Sequence, residues 1–208
     1  MSYSTFLSTK LRFGRTVGVD VPVASISSLL FPFQRQLTQW ALHKGRSAIF
    51  SDCGTGKTFM QLEWARLLDC PTLIITPLAV AQQTLAHAAT LGIAASYIRN
   101  QSQIAHKVSI CNYEMIEHFD PAAFGAVILD ESSILKSIDG KTRTKLIDMF
   151  SKTPYRLCCT ATPAPNDIAE FANHAEFLGV CSREDMLAMF FVHDDNGWRI
   201  KGHAIGEF

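Results

Sequence analysis

Ser51-Asp52-Cys53-Gly54-Thr55-Gly56-Lys57-Thr58 is the stretch on which the reading of this chain turns. Apolar Ala48-Ile49-Phe50 precedes it. Thr58 to Leu68 follows, with Phe59, Leu62, Trp64, Ala65 and Leu68 at roughly helical spacing. A strand, a glycine turn and a helix are the context a phosphate-binding loop requires. Gly54 and Gly56 let the backbone curl so that its N–H groups face phosphate oxygens, and Thr55 lies between them. The start of the helix adds partial positive charge. In such loops the lysine, here Lys57, reaches the β- and γ-phosphates, and the next hydroxyl, here Thr58, holds Mg²⁺. One position departs from the strict pattern, which has Gly where this chain has Ser51.

Outward from the loop, short apolar runs alternate with helical patterns. The runs are Ala48–Phe50, Thr72–Thr76, Lys107–Cys111, Ala126–Leu129 and Arg156–Cys159, with Ser96–Ile98 a weaker one. Rich in Ile, Val, Leu and Cys and bounded by turn residues, they predict buried parallel strands. Helices are predicted over Thr58–Leu68, Ala79–Leu91 and Thr142–Phe150. A further one is capped by Asn166-Asp167 and stopped by Gly179. The alternation implies an α/β fold, a mostly parallel doubly wound sheet with helices on both faces. Ligands in such sheets bind beyond the carboxyl ends of the strands.

Val127-Ile128-Leu129-Asp130-Glu131 is an apolar run ending in two carboxylates, which the sheet would set beside the phosphate loop. Nucleotide hydrolysis needs one carboxylate for hydrated Mg²⁺ and another group to direct water. Asp130 suits the first role and Glu131 the second; the alternative is a solvated strand end with a capping Asp. Cys158-Cys159-Thr160-Ala161-Thr162-Pro163 ends a further strand. Thr160 and Thr162 either sense the carboxylates or belong to a plain turn.

Composition narrows the field. The chain has 208 residues, 48% hydrophobic and 18% charged, so a packed core is expected. Lys+Arg and Asp+Glu number 19 each, which disfavours nucleic-acid binding driven by bulk charge. The charge is unevenly spread: residues 1–50 hold six Lys/Arg and one acid, and residues 136–156 hold six and two. Six cysteines without a CxxC pair, and no apolar run of about 18 residues or signal-like start, suggest a reduced, cytoplasmic chain. The seven histidines lack metal-ligand spacing, so no zinc site is expected.

With these residues in hand, the order of motifs resembles the first RecA-like lobe of superfamily-two helicases and translocases. It is most similar to the Swi/Snf-type branch and its compact phage and prophage versions, over about residues 28–208. Leu30-Phe31-Pro32-Phe33-Gln34 resembles the adenine-reading Q motif, and SDCGTGKT motif I. Ile74-Ile75-Thr76-Pro77-Leu78 with Gln83 is similar to motif Ia, and Ser109 to Glu114 to motif Ib. Asp130-Glu131-Ser132-Ser133 resembles motif II, and Thr160-Ala161-Thr162-Pro163 motif III.

The resemblance implies a RecA-like P-loop domain using ATP and Mg²⁺, with nucleotide bound by Gln34, Gly54, Thr55, Gly56, Lys57 and Thr58. Lys57, Asp130 and Glu131 would be catalytic, Thr58 and Asp130 would hold Mg²⁺, and Thr160 and Thr162 would couple nucleotide state to movement. Pro77, Gln83, Asn112 and Tyr113 would line a path for the phosphates of DNA, most naturally double-stranded. Lys136, Lys141 and Arg143 either join that path or form a solvated surface. The expected organisation is an irregular arm over 1–27, the ATP-binding domain over 28–190, and over 191–208 the start of a connection to a second lobe. That lobe, which carries arginine fingers in the family, has no counterpart after Thr162. The chain is therefore expected to hydrolyse ATP little or not at all alone, and not to unwind. A module that occupies DNA or a partner protein as a decoy is the alternative; a small-molecule kinase would leave Gln34 and the motif order unexplained.

Overall fold

Each expected apolar run is a strand in the computed structural model, which describes residues 16–136, 140–194 and 197–205. Strands β1 (Arg46–Phe50), β2 (Thr72–Thr76), β3 (Ala95–Tyr97), β4 (Val108–Asn112), β5 (Ala126–Asp130) and β6 (Tyr155–Thr160) form one sheet. Its order is β1-β6-β5-β2-β4-β3, and every pair is parallel. β2, β4 and β5 are buried at every residue, as expected of parallel strands covered on both faces. This is the α/β RecA-like architecture, and two compact units build the chain.

The larger unit, Thr16–Ser132 with Lys152–Ala161, holds the sheet and helices α1 (Pro32–Lys44), α2 (Lys57–Leu67) and α3 (Leu78–Thr90). Helix α2 is buried nearly all round, with Met60, Leu62, Trp64 and Ala65 fully enclosed. That explains its weak amphipathic signal in the sequence. Its buried Glu63 takes two bonds from Arg66 and one from the Ser27 N–H, while Arg66 also donates to the Ser25 carbonyl. A carboxylate enclosed there is tolerated because a charged partner and a backbone donor satisfy it. Through that pair α2 fastens the segment that leads into α1.

Strand register sets the site. Phe50 pairs with Thr160, Asp130 with Cys159, Ile75 with Leu129, and Thr76 with Asn112. The glycine loop, the acid pair, Thr160, Thr76 and Asn112 therefore lie along one edge of the sheet, at its carboxyl ends.

The smaller unit draws on 133–151 and 162–208. It contains α4 (Lys141–Phe150), α5 (Phe171–Leu178), α6 (Arg183–Phe190) and an antiparallel hairpin of β7 (Phe191–Asp194) and β8 (Gly197–Ile200). Gly179, at φ +71°, ends α5 at the expected stop. Asp167 caps a short 3₁₀ turn just ahead of α5. Ala169, Ala172, Leu187, Phe190 and Phe191 form this unit's core, with Trp198 and Ile200 packed against it. Neither α6 nor the hairpin was anticipated. Ser182, which accepts from the Asp185 N–H, was the available signal for α6. Residues 1–15 of the expected arm lie outside the described residues; beyond them, Val17 and Val19 donate to carbonyls at the end of α1. Among the described residues no helix is long and apolar enough to cross a membrane.

Candidate nucleotide site

The glycine loop takes the backbone its sequence demands. Gly54 and Gly56 sit at φ +78° and +80°, and α2 begins directly at Lys57. Ser51, the departure from the strict pattern, has a structural use. The Thr55 hydroxyl donates to the Asp52 carbonyl at 2.7 Å, so the Ser51 hydroxyl, 2.9 Å from it, is the donor between the two. A glycine would not close the loop this way. Lys57 is 9% exposed, and its ammonium donates to the Ser51 and Asp52 carbonyls at 2.9 and 3.0 Å, held over the loop.

Gln34 supports the loop from α1. Its Oε1 accepts the Phe31 N–H at 2.8 Å, capping α1, and its Nε2 donates to the Thr55 carbonyl at 2.8 Å. A Cβ built on Gly56 would come within 2.3 Å of that Nε2, so a side chain there has to displace the Gln34 amide from Thr55 as well as hold a left-handed φ.

Across the loop stand the carboxylates. Asp130 takes Gln61 Nε2 on one oxygen at 2.6 Å and the Thr76 hydroxyl on the other at 2.9 Å. The Tyr113 hydroxyl donates to the Asp130 carbonyl at 2.6 Å. Burial first, then the charge of Asp130, pushes the Tyr113 pKa well above its usual 10, so it remains a donor. Glu131 is in the left-handed region at φ +52°, the one non-glycine there among the described residues, and accepts the Thr160 hydroxyl at 3.2 Å. Burial likewise pushes up the thiols of Cys111, to about 12, and of Cys158 and Cys159, so all three stay neutral core residues.

Gly54, Gly56, Lys57, Thr58, Asp130 and Glu131 line one cavity of about 300 Å³. Cys53, Phe59 and the α3 residues Val80, Gln83, Thr84 and His87 complete its wall, with His87 tilted on the Phe59 ring at 4.7 Å. A curled loop with open space at Gly54, a lysine, a hydroxyl and two carboxylates in one cavity fit a nucleotide triphosphate with a divalent cation. A larger groove of about 550 Å³ runs beside Asp20, Trp40 and His43. It has no glycine loop, and its one carboxylate is paired with His43 at 2.6 Å.

Residues 33–188, three quarters of the chain, match the family model of the SNF2-related domain. The chain belongs to that family. No curated protein matches this SNF2-related domain at a significant level. Among solved structures, the Sulfolobus solfataricus SWI2/SNF2 ATPase core in complex with dsDNA is similar at a TM-score of 0.69 and 18% identity, over 83% of this chain and 41% of that one. The UvsW helicase from Bacteriophage T4 is similar at 0.60 and 15% identity, over 74% of this chain and 58% of the other. At these identities the likeness shows the fold, and the SNF2-related domain spans less than two thirds of either structure.

The remaining singled-out residues of the SNF2-related domain fall in three places. Pro77 precedes α3 as its N-cap, and Gln83 is exposed on the cavity wall. Asn112 and Tyr113 are buried: Asn112 Oδ1 accepts the Tyr97 hydroxyl at 2.7 Å and Asn112 Nδ2 donates to Glu114, while Tyr113 is spent on Asp130. Thr162, Lys136, Lys141 and Arg143 belong to the smaller unit, where Arg143 donates to Asn173 at 3.1 Å and Asn173 to the Leu135 carbonyl at 2.7 Å. Sequence reasoning missed Gln61 and His87. Gln61 stands four residues after Lys57, the spacing that puts both on one helix face, and that was the signal available.

Proposed function

We propose that this chain is the ATP-binding first lobe of a DNA-dependent ATPase of the helicase and translocase type. The cavity that joins the glycine loop and Lys57 to Asp130 and Glu131 carries the reading. The loop N–H groups, with Gly54, Thr55, Gly56 and Lys57, bind the phosphates, and Gln34 reaches adenine only on releasing Phe31 or Thr55. Thr58 and Asp130 hold Mg²⁺, which supplies charge neutralisation on the phosphates. Glu131 orients the attacking water and accepts its proton, and Thr160, bonded to Glu131, reports on that carboxylate.

Double-stranded DNA passes over Pro77 and the exposed Gln83, while Asn112 and Tyr113, buried and bonded within the protein, support that surface from behind. A chain of zero formal net charge binds DNA modestly and in a salt-sensitive way. Arginines that stabilise transition-state charge are worth about 10³–10⁵ in rate, and among the described residues none lines the cavity. The 208-residue chain is thus expected to bind Mg²⁺·ATP while turning it over far below about 1 s⁻¹, with or without DNA. Calorimetric titration with ATP and a phosphate-release assay check this. No Mg²⁺-dependent binding would sink the reading, and turnover near 1 s⁻¹ would remove the need for a second lobe.

A further inference from the structure

Two side chains beside the nucleotide cavity do not line it. Gln61 and Thr76 are fully buried, and each spends a donor on a different oxygen of the Asp130 carboxylate, at 2.6 and 2.9 Å. Asp130 is itself 6% exposed. A carboxylate on a short stem turns easily about its last bond. Two donors on opposite oxygens stop that turning, and Tyr113 fixes the backbone beneath them. Both donors are neutral, so the full negative charge remains for a cation. Each oxygen still has a lone-pair direction to accept another hydrogen bond.

Filling space does not explain this choice of residues. Leucine at 61 or valine at 76 would occupy similar volume without the cost of enclosing an amide or hydroxyl. Gln61 also sits on α2, the helix that begins with Lys57 and Thr58, so one bond ties the acid strand to the phosphate helix. Thr76 ends β2, directly before Pro77.

We propose that Gln61 and Thr76 are positioning residues, which hold the Asp130 carboxylate turned to accept hydrogen bonds from the water shell of a nucleotide-bound divalent cation. This rests on the metal role given to Asp130 above. Partners one step behind a direct metal ligand are typically worth about 10–100-fold in metal affinity, and that range sets the scale for partners of a carboxylate that holds the cation through its waters.

The test uses Mn²⁺, read by electron paramagnetic resonance in the presence of ATP, beside ATP affinity measured in EDTA. Gln61→Leu, Thr76→Val, Thr76→Ser and Asp130→Asn are compared with the native chain, each shown folded by its melting curve. Thr76→Val keeps the shape of the side chain and is safe should Gln61→Leu fail to fold. The expected result is Mn²⁺ binding weakened about 10–100-fold in Gln61→Leu and Thr76→Val and near native in Thr76→Ser, with metal-free ATP affinity unchanged in these three. Native Mn²⁺ binding in both weakened variants, with loss in Asp130→Asn, would overturn the positioning role and leave the metal role of Asp130 standing. Native binding in Asp130→Asn as well would overturn both. Equal loss of metal-free ATP binding would reduce Gln61 and Thr76 to structural residues.

Discussion

Replacing Lys57 by alanine is expected to weaken ATP binding by about a hundredfold while leaving the fold intact. Each hydrogen bond from a charged group to phosphate contributes about 1.5–3 kcal/mol, and an ammonium over the loop reaches at least one phosphate oxygen. The ammonium lies above the Ser51 and Asp52 carbonyls, so it is already aimed into the cavity before nucleotide arrives. Little of its binding energy goes into ordering the side chain. Removal also frees the carbonyls of half-buried Ser51 and exposed Asp52, which can take water. Titration with ATP alongside a melting curve checks both halves. Undiminished affinity would mean that the triphosphate does not sit on this loop.

Gly56→Ala is expected to combine a loss of stability with a loss of binding. At φ +80° an alanine costs about 1–2 kcal/mol in backbone strain. Its Cβ would also press on Gln34 Nε2 at 2.3 Å. Gln34 cannot easily yield, because both ends of its amide are bonded, to Phe31 and to Thr55. The melting temperature should fall by about 2–4 °C for each kcal/mol lost in a domain of this size. Gly54→Ala supplies the comparison. Its φ is similar, but a Cβ there meets nothing within 4 Å, so it carries the strain without the collision. In a Gln34→Ala background the two glycine variants should become equally stable. A double-mutant cycle reads that coupling directly, and an additive result would show that Gln34 moves aside freely.

The parts of the site legible in the sequence were those encoded by short spacing. The glycine loop sits between a strand and a helix within a dozen residues, and Asp130-Glu131 terminates an unmistakable apolar run. Gly54, Gly56, Lys57, Thr58, Gln83, Asp130 and Glu131 each stand in a recognisable motif, and all seven line one cavity. Gln61 stands in none, because its meaning lies in a bond to Asp130 across 69 residues, and no local pattern records such a pair. Tyr113 shows the opposite limit. Its place after β4 was readable, yet the direction of its ring, inward to the Asp130 carbonyl, depends on packing. The hairpin of β7 and β8 escaped because strands of four residues carry too few alternations to register.

Glu131 holds a backbone conformation that its own side chain disfavours. A glycine at that position would relax about 1 kcal/mol of strain, offset in part by the greater freedom of the unfolded chain. The Glu131→Gly protein also loses the bond from the Thr160 hydroxyl, worth about 1 kcal/mol, so it is expected to melt close to the native one although it lacks the carboxylate that the proposed chemistry uses. A screen of variants for heat resistance alone would score residue 131 as freely replaceable, and a library enriched that way would drift toward well-folded, inert proteins. Durability and usefulness part company at this residue, so any engineering of the chain has to assay them separately.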